Sequence, residues 1–156
     1  MEKYIVLLIT VLIFNHAHAQ NESFGETIKF LFEDFSDFAG NNKPLYVIQD
    51  YDEKNCIVNT RKGKDSVVFH LNNTSFDQIG FGSSQYNLYV FLPPTEVVNI
   101  NGTYYDRKYN LSGRGPKFIP FDTLKTAWEH LYTEYCNKGP APSVAPDNPG
   151  SGNIDH

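Results

Sequence analysis

Cysteine is scarce in this chain of 156 residues, which has only Cys56 and Cys136. Neither belongs to a closely spaced Cys or His pattern, which argues against a zinc site or a reactive thiol. In a secreted protein such a pair is most simply a disulfide. This one would close a loop of 80 residues and contribute about 4.5 kcal/mol in the chain-entropy description. The alternative is a free catalytic or metal-bound thiol.

Long hydrophobic segments are also lacking. The one apolar run, residues 4–14, is too short to span a bilayer, and it is followed by Ala17-His18-Ala19. This is the pattern of a secretory signal peptide over residues 1–19. We therefore predict an extracellular protein with one domain over residues 20–136. Residues 137–156 are rich in Pro and Gly and are predicted to be a disordered tail.

Positive charge is limited. Thirteen Lys and Arg face eighteen Asp and Glu, for a net charge of −5, and no basic stripe is present. Nucleic acid and membrane are therefore not expected as partners. We expect a monomer that needs no cofactor.

Catalytic residue patterns are missing as well. Of five histidines, only His70 and His130 fall inside the predicted domain, and no Ser or Cys nucleophile stands in a recognisable frame. Asp50, Asp52 and Glu53 cluster, but the spread of oxygen ligands that Ca²⁺ requires is missing. We predict that the protein is not an enzyme, has no metal site, and uses this acidic cluster as a solvated turn.

Asparagine, in contrast, is frequent. Five Asn-x-Ser/Thr sequons occur, at Asn21, Asn72, Asn73, Asn101 and Asn110. With a signal peptide they predict a glycoprotein whose sequons face solvent.

Apolar spacing predicts a helix over 24–38 and a second over 122–135, with Asp122 as its N-cap. Between them, alternating β-branched and aromatic runs predict six strands, at 45–49, 55–60, 65–72, 86–92, 96–100 and 103–111. Asn101-Gly102 predicts a tight hairpin. Gly80 and the residues up to Ser84 are interpreted as a loop or strand kink.

Aromatic residues are plentiful, with ten Tyr and twelve Phe. Most are expected to fill the core. Some could instead line a cavity, where an aromatic wall with a carboxylate would hold an amine. Asp50 has the strand parity of Tyr46 and Ile48 and would supply that carboxylate. The candidate ligand-binding residues are Tyr46, Asp50, Phe69, Tyr89, Tyr105 and Trp128.

The order of these features resembles the tick salivary lipocalins, the histamine-binding protein family. The resemblance rests on "TIKFLFEDFSDFAG", "KPLYVIQDYDEKNCIV", "VVFHLNNTS" and "LYTEYC". It implies an eight-stranded secreted barrel that takes part in immune evasion by sequestering amines, leukotrienes or other host mediators, or by binding host defence proteins. It also implies a disulfide between the early and the C-terminal cysteine, here Cys56 and Cys136.

We therefore predict a mainly β (α+β) fold: a small antiparallel lipocalin-like barrel or curved sheet with N- and C-terminal helices. The predicted function is sequestration of a small host mediator, a biogenic amine or a lipid. The alternative fold is a cystatin-like helix on an antiparallel sheet, because Gln78-Ile79-Gly80-Phe81-Gly82 has the outline of the cystatin loop. The alternative function is a protein–protein module, such as a protease inhibitor or a binder of a host immune protein.

Overall fold

The computed structural model of the chain describes residues 22–36, 43–115 and 119–136. Helix α1 runs over Phe24–Ile28 and continues as a π-helix over Lys29–Asp34; helix α2 runs over Phe121–Leu131 and continues as a π-helix over Tyr132–Cys136. Between them lie eight strands: β1 Val47–Asp52, β2 Ile57–Lys62, β3 Asp65–His70, β4 Gly80–Ser83, β5 Asn87–Leu92, β6 Val98–Ile100, β7 Thr103–Tyr104 and β8 Tyr109–Arg114. The predicted signal peptide, the predicted tail and Asn21 lie outside the described residues.

All strand pairs are antiparallel, and they form two sheets. One sheet has five strands in the order β1-β2-β3-β6-β7, and the other has three in the order β4-β5-β8. The prediction of a mainly antiparallel α+β fold with two helices is confirmed. Among the described residues the two sheets do not join into a closed barrel, so the expectation of barrel closure is not met.

Apart from shifts of up to three residues at strand ends, the strand prediction differs from the structure in two places. Residues 80–83, interpreted as a loop or kink, form β4 and pair with β5, so the cystatin-like loop is absent there. The single strand predicted over 103–111 is two, because exposed Asp106, Arg107 and Lys108 separate β7 from β8. These charged residues would be costly to place on a buried strand face, and the chain changes sheets at this point.

Alternation along the strands gives each sheet one buried face. Val58 and Thr60 on β2 are buried, as are Leu88, Val90 and Leu92 on β5. Buried Thr60 donates its hydroxyl proton to the Val67 carbonyl at 2.8 Å, which satisfies its hydrogen-bonding need. Together with one face of each helix, these side chains form one continuous hydrophobic core.

A β-bulge interrupts the alternation of β1. Ile48 pairs with Thr60, whereas Asp50 pairs with Asn59, so Gln49 is the extra residue. A bulge of this kind exchanges the two faces of a strand beyond it. Asp50 therefore shares the outward face of Asn59, not the inward face of Ile48. The parity argument that placed Asp50 beside Tyr46 is wrong for this reason.

Helix α1 is fixed at both ends. Ser23 and Glu26 form a capping box at its start, with the Ser23 N–H donating to Glu26 Oε2 at 2.9 Å. Past its end, the Arg114 N–H donates to the Phe35 carbonyl at 3.0 Å. A Cβ at Gly113 would collide with that carbonyl oxygen, so the close approach of helix and strand requires glycine. The predicted apolar face is confirmed for its described members, which are buried: Phe24, Ile28, Leu31 and Phe35.

Helix α2 returns the chain to the β1–β2 turn. Its N-cap is Pro120, without a side-chain cap hydrogen bond, so the prediction of Asp122 as N-cap is wrong. The predicted disulfide between Cys56 and Cys136 is confirmed, with Cα atoms 5.3 Å apart. Neither helix in the described ranges combines the length and the apolarity needed to cross a membrane.

Candidate functional site

The center of the molecule holds a set of contacting rings that we call the inner aromatic cluster: Phe32, Tyr46, Phe69, Tyr109 and Trp128. Phe69 contacts Phe32, Tyr46 and Tyr109, with ring centroids 4.7, 5.7 and 6.0 Å apart. Trp128 meets Phe32 edge-on at 6.0 Å. The cluster joins α1, α2 and both sheets, and every member is buried.

A pair of tyrosine hydroxyls closes one end of this cluster. Tyr46 Oη and Tyr109 Oη lie 2.8 Å apart. The backbone of Tyr46 is fixed by a hydrogen-bond chain: its N–H donates to Ser36 Oγ at 3.2 Å, and Ser36 in turn donates to the Phe32 carbonyl. Tyr109 is the first residue of β8. Burial raises the pKa of both hydroxyls, so the pair is neutral at physiological pH.

Lys62 lies over the tyrosine pair. It follows Val58 and Thr60 on the inward face of β2, and its Nζ donates to Tyr46 Oη at 3.3 Å. The same Nζ is 5.2 Å from the Tyr46 ring centroid and 5.9 Å from that of Tyr109, within cation–π range. Among the described residues, no carboxylate forms an ion pair with Lys62.

The hydrogen-bond donors outnumber the acceptors at this end of the cluster. Lys62 has only donors, so Tyr46 accepts from it. The two hydroxyls share one hydrogen bond, in which either oxygen can be the donor, so one of their two protons has no acceptor among the described side chains. Lys62 and the tyrosine pair therefore both present donors, which is an arrangement suited to an anion or a hydrogen-bond acceptor.

Trp128 carries an unsatisfied donor inside the cluster. Its side chain is 0% exposed, yet its Nε1 has no hydrogen-bond partner in the part of the chain that the structure describes. Leaving a buried donor unpaired costs about 1–3 kcal/mol. An unpaired indole N–H at such depth is therefore a place where a bound acceptor would be stabilised.

The structure brings together most, but not all, of the predicted ligand-binding residues. Tyr46, Phe69 and Trp128 belong to the inner aromatic cluster, and half-buried Tyr105 meets the Tyr109 ring edge-on at 5.3 Å. Exposed Asp50 accepts a hydrogen bond from Asn59 on the outer face, away from the cluster.

Tyr89 faces the other way. It lies on the outward face of β5 and stacks on Phe91, with ring centroids 6.1 Å apart and ring planes 18° apart. Neither ring belongs to the hydrophobic core or packs against it. We call Tyr89 and Phe91 the outer aromatic pair.

Two members of the site were missed from the sequence, Lys62 and Tyr109. Lys62 could have been found by continuing the parity of Val58 and Thr60 by one step along β2. Tyr109 could have been found from the alternation with Leu111 along β8. No local pattern shows that β2 and β8, which belong to different sheets, meet at Tyr46.

The acidic cluster divides between strand and turn. Asp50 and Asp52 belong to β1, so only Glu53 lies in the predicted turn. Asp52 accepts from Asn55 Nδ2 at 2.6 Å and from the Asn55 N–H at 3.1 Å, and these hydrogen bonds lower the pKa of its carboxyl. Within the described ranges, no three Asp, Glu, His or Cys side chains are grouped as metal ligands.

Four sequons lie in the described residues, and their asparagines are all exposed. Asn73 donates to the Glu96 carbonyl at 3.0 Å. Asn101 occupies the predicted β6–β7 turn with φ 51°, which confirms the hairpin, and its Nδ2 donates to Asp65 at 2.8 Å. Asn72 and Asn110 make no side-chain hydrogen bond to another described residue.

Comparisons with known proteins give no relative. No protein-family model matches the chain, and no curated protein or solved structure is significantly similar to it. The function is therefore inferred from the two helices, the two antiparallel sheets and the polar end of the inner aromatic cluster.

Proposed function

We propose that the protein is a secreted, non-enzymatic binding protein that sequesters a small host mediator, in the manner expected of a lipocalin-like carrier. The observation that carries the proposal is the donor arrangement at the inner aromatic cluster: Lys62 Nζ and the Tyr46–Tyr109 hydroxyl pair at its end, and the unpaired Trp128 Nε1 within it. The function rests on binding, and no catalytic role is assigned to these groups.

The charge of this end favours one of the two expected ligand classes. Lys62 already occupies the position over the Tyr46 and Tyr109 rings that a cationic amine would take. A second ammonium group would be repelled there, and the carboxylate expected to attract it, Asp50, is on the outer face. A lipid mediator with a carboxylate suits the site better, because its anion would accept from Lys62 and its apolar part would contact the rings.

Entry of such a ligand requires the rings to separate. The Tyr46–Tyr109 hydrogen bond closes the end of the cluster, and the rings behind it contact one another. A carboxylate that accepts hydrogen bonds from one of the two tyrosine hydroxyls and from the Lys62 ammonium would compensate for loss of the Lys62–Tyr46 contact. A polar group of the ligand would then accept a hydrogen bond from Trp128 Nε1.

Fluorescence titration tests the proposal directly, because Trp128 is the only tryptophan in the chain. Long-chain fatty acids are the probe, and the corresponding alcohols and histamine are the comparison ligands. We expect the fatty acid to change Trp128 emission and raise the melting temperature. Lys62→Met should weaken binding about 10- to 100-fold, as loss of a charged hydrogen bond predicts.

Lys64→Met is the matched control, since Lys64 is an exposed residue of the same hairpin. It should bind like the wild type. If neither carboxylate lipids nor amines change the emission or the melting temperature, the carrier proposal fails. Binding that Lys62→Met leaves unchanged would show that the lysine has no part in it.

A protein–protein module is the second candidate, favoured by one observation. Tyr86, just before β5, is 73% exposed, the degree of exposure expected for an aromatic anchor at an interface. In this case the wild type would bind a host immune protein or inhibit a protease through a surface that includes Tyr86. Tyr86→Ser would abolish that binding without changing fatty acid binding.

A further inference from the structure

We propose that an N-linked glycan on Asn110 packs on the outer aromatic pair, so that Tyr89 and Phe91 are a seat for the protein's own sugar. The inference rests on secretion, which is part of the proposed function, because N-glycans are added in the secretory pathway. It does not depend on which mediator the inner cluster binds.

Strand register places the sugar beside the rings. Asn110 on β8 is the direct cross-strand partner of Phe91 on β5, and the neighbouring outward pair is Tyr89 with Ser112. Directly opposed residues have Cβ atoms about 4.5–5.5 Å apart. Asn110 is exposed, so the first sugar attached to its side chain begins within reach of the Phe91 ring.

Strand β4 flanks the outer aromatic pair on the side away from β8, and it presents only glycines there. No side chain of β4 therefore competes with the sugar. Phe91 pairs with Gly80 of β4, and Tyr89 pairs with Gly82. A Cβ at Gly82 would lie 3.4 Å from Phe91 Cε2 and 3.9 Å from Tyr89 Cβ. The rings therefore lie against the glycine strand and stack on each other with nearly parallel planes, so they form one apolar surface on the outer face of the sheet.

A polar partner already approaches this surface from solvent. Lys108 Nζ lies 4.9 Å from the Phe91 ring centroid, and Lys108 is exposed. The Phe91 ring thus already holds a positively charged group at its face, as the ring quadrupole favours. The polarised C–H groups on the flat face of N-acetylglucosamine have this character, while its hydroxyl groups could accept from Lys108.

The other described sequons lack such a surface. Asn101 lies at a hairpin tip and is bonded to Asp65. Asn72 and Asn73 lie in a 3₁₀ turn, Leu71–Asn73. Asn110 is the one that is paired across strands with an aromatic ring, and this singles it out among them.

The test uses the full chain expressed in insect or mammalian cells, with glycopeptide mass spectrometry at Asn110. Thermal unfolding is then compared before and after enzymatic removal of the glycans. We expect occupancy at Asn110 and a melting temperature that falls by about 3 °C on deglycosylation, the size of a contact worth somewhat less than 1 kcal/mol. In Phe91→Ser the fall should disappear, whereas Asn72→Gln should retain it.

Three results would overturn the inference. They are an unmodified Asn110, an equal fall in wild type and Phe91→Ser, and binding of a host protein or free oligosaccharide to the outer aromatic pair while Asn110 is glycosylated. A second version of the protein, with a standard secretory leader ahead of residue 20, separates the two proposals. If only this version is exported, the native leader does not direct secretion, and that part of the proposed function fails. The packing of a glycan on Asn110 can still be tested with the exported version.

Discussion

The inner aromatic cluster and the outer aromatic pair use the same kinds of side chain for opposite purposes. Phe69, on β3, is 0% exposed and touches three other rings. Phe91, on β5, touches Tyr89 and an exposed lysine and has no place in the core. The difference comes from which face of the strand each residue occupies, so residue type alone says little about the role of an aromatic side chain here.

The largest expected contrast in stability is between these two phenylalanines. Phe69→Ala should lower the free energy of unfolding by about 3–5 kcal/mol, because it removes a ring from a filled interior and leaves a cavity. Phe91→Ala should cost about 1 kcal/mol, because its ring is only half-buried and lies outside the core. Urea unfolding followed by Trp128 fluorescence measures both, and similar losses would contradict the division into inner and outer rings.

Two glycines of the three-stranded sheet give the next contrast. Gly113→Ala should lower the free energy of unfolding by about 1–3 kcal/mol, because the added methyl group collides with the Phe35 carbonyl and displaces α1. Gly82→Ala lies on the outer side, where its Cβ would be 3.4 Å from the edge of Phe91, and it should be nearly neutral. Urea unfolding midpoints measure both effects. If Gly113→Ala leaves the midpoint unchanged, α1 does not pack closely on β8.

Sequence patterns predict the members of the inner aromatic cluster better than they predict the geometry of its polar end. Helical spacing is sufficient to place Trp128 on a buried face, and strand alternation groups Phe69 with Val67 and Leu71, which are all buried. The Asn101-Gly102 hairpin follows from turn chemistry, since both residues have positive φ. These are local signals, and local signals are what a single sequence carries.

The rest depends on pairing between distant segments. The bulge at Gln49 exists only relative to β2, so no property of the segment 45–52 alone reverses Asp50. Gly80–Ser83 becomes a strand because β5 supplies its partner, although its glycines make it a poor strand former. Lys62 and Tyr109 meet because the two sheets face each other, which strand parity does not encode.

Alkaline pH should ionise the buried tyrosines later than the exposed ones. Burial raises the pKa of Tyr46 and of Tyr109 above the ordinary value near 10. The unfolded chain therefore loses these protons first, so the contribution of these hydroxyls to stability is constant below about pH 10 and falls as pH rises further. Absorbance at 295 nm and circular dichroism between pH 8 and 12 should show delayed ionisation that coincides with unfolding.

Tyr46→Phe should reduce the delayed part of this absorbance change, because one buried hydroxyl is gone. Tyr86→Phe, at a side chain that is 73% exposed, should leave the delayed part intact. If all the tyrosines ionise together near pH 10 while the protein stays folded, the Tyr46–Tyr109 pair is not buried as described.

Asp50 gives the smallest expected effect and the sharpest check on the orientation of β1. Because its carboxylate lies outward, opposite Asn59, Asp50→Asn should change the free energy of unfolding by no more than about 0.5 kcal/mol. The amide oxygen that replaces the carboxylate could still accept from Asn59, and fatty acid binding should be unchanged while Lys62→Met weakens it. Were Asp50→Asn instead to abolish binding of histamine, the carboxylate would have to reach the inner aromatic cluster, which requires β1 without its bulge and a carrier selective for amines.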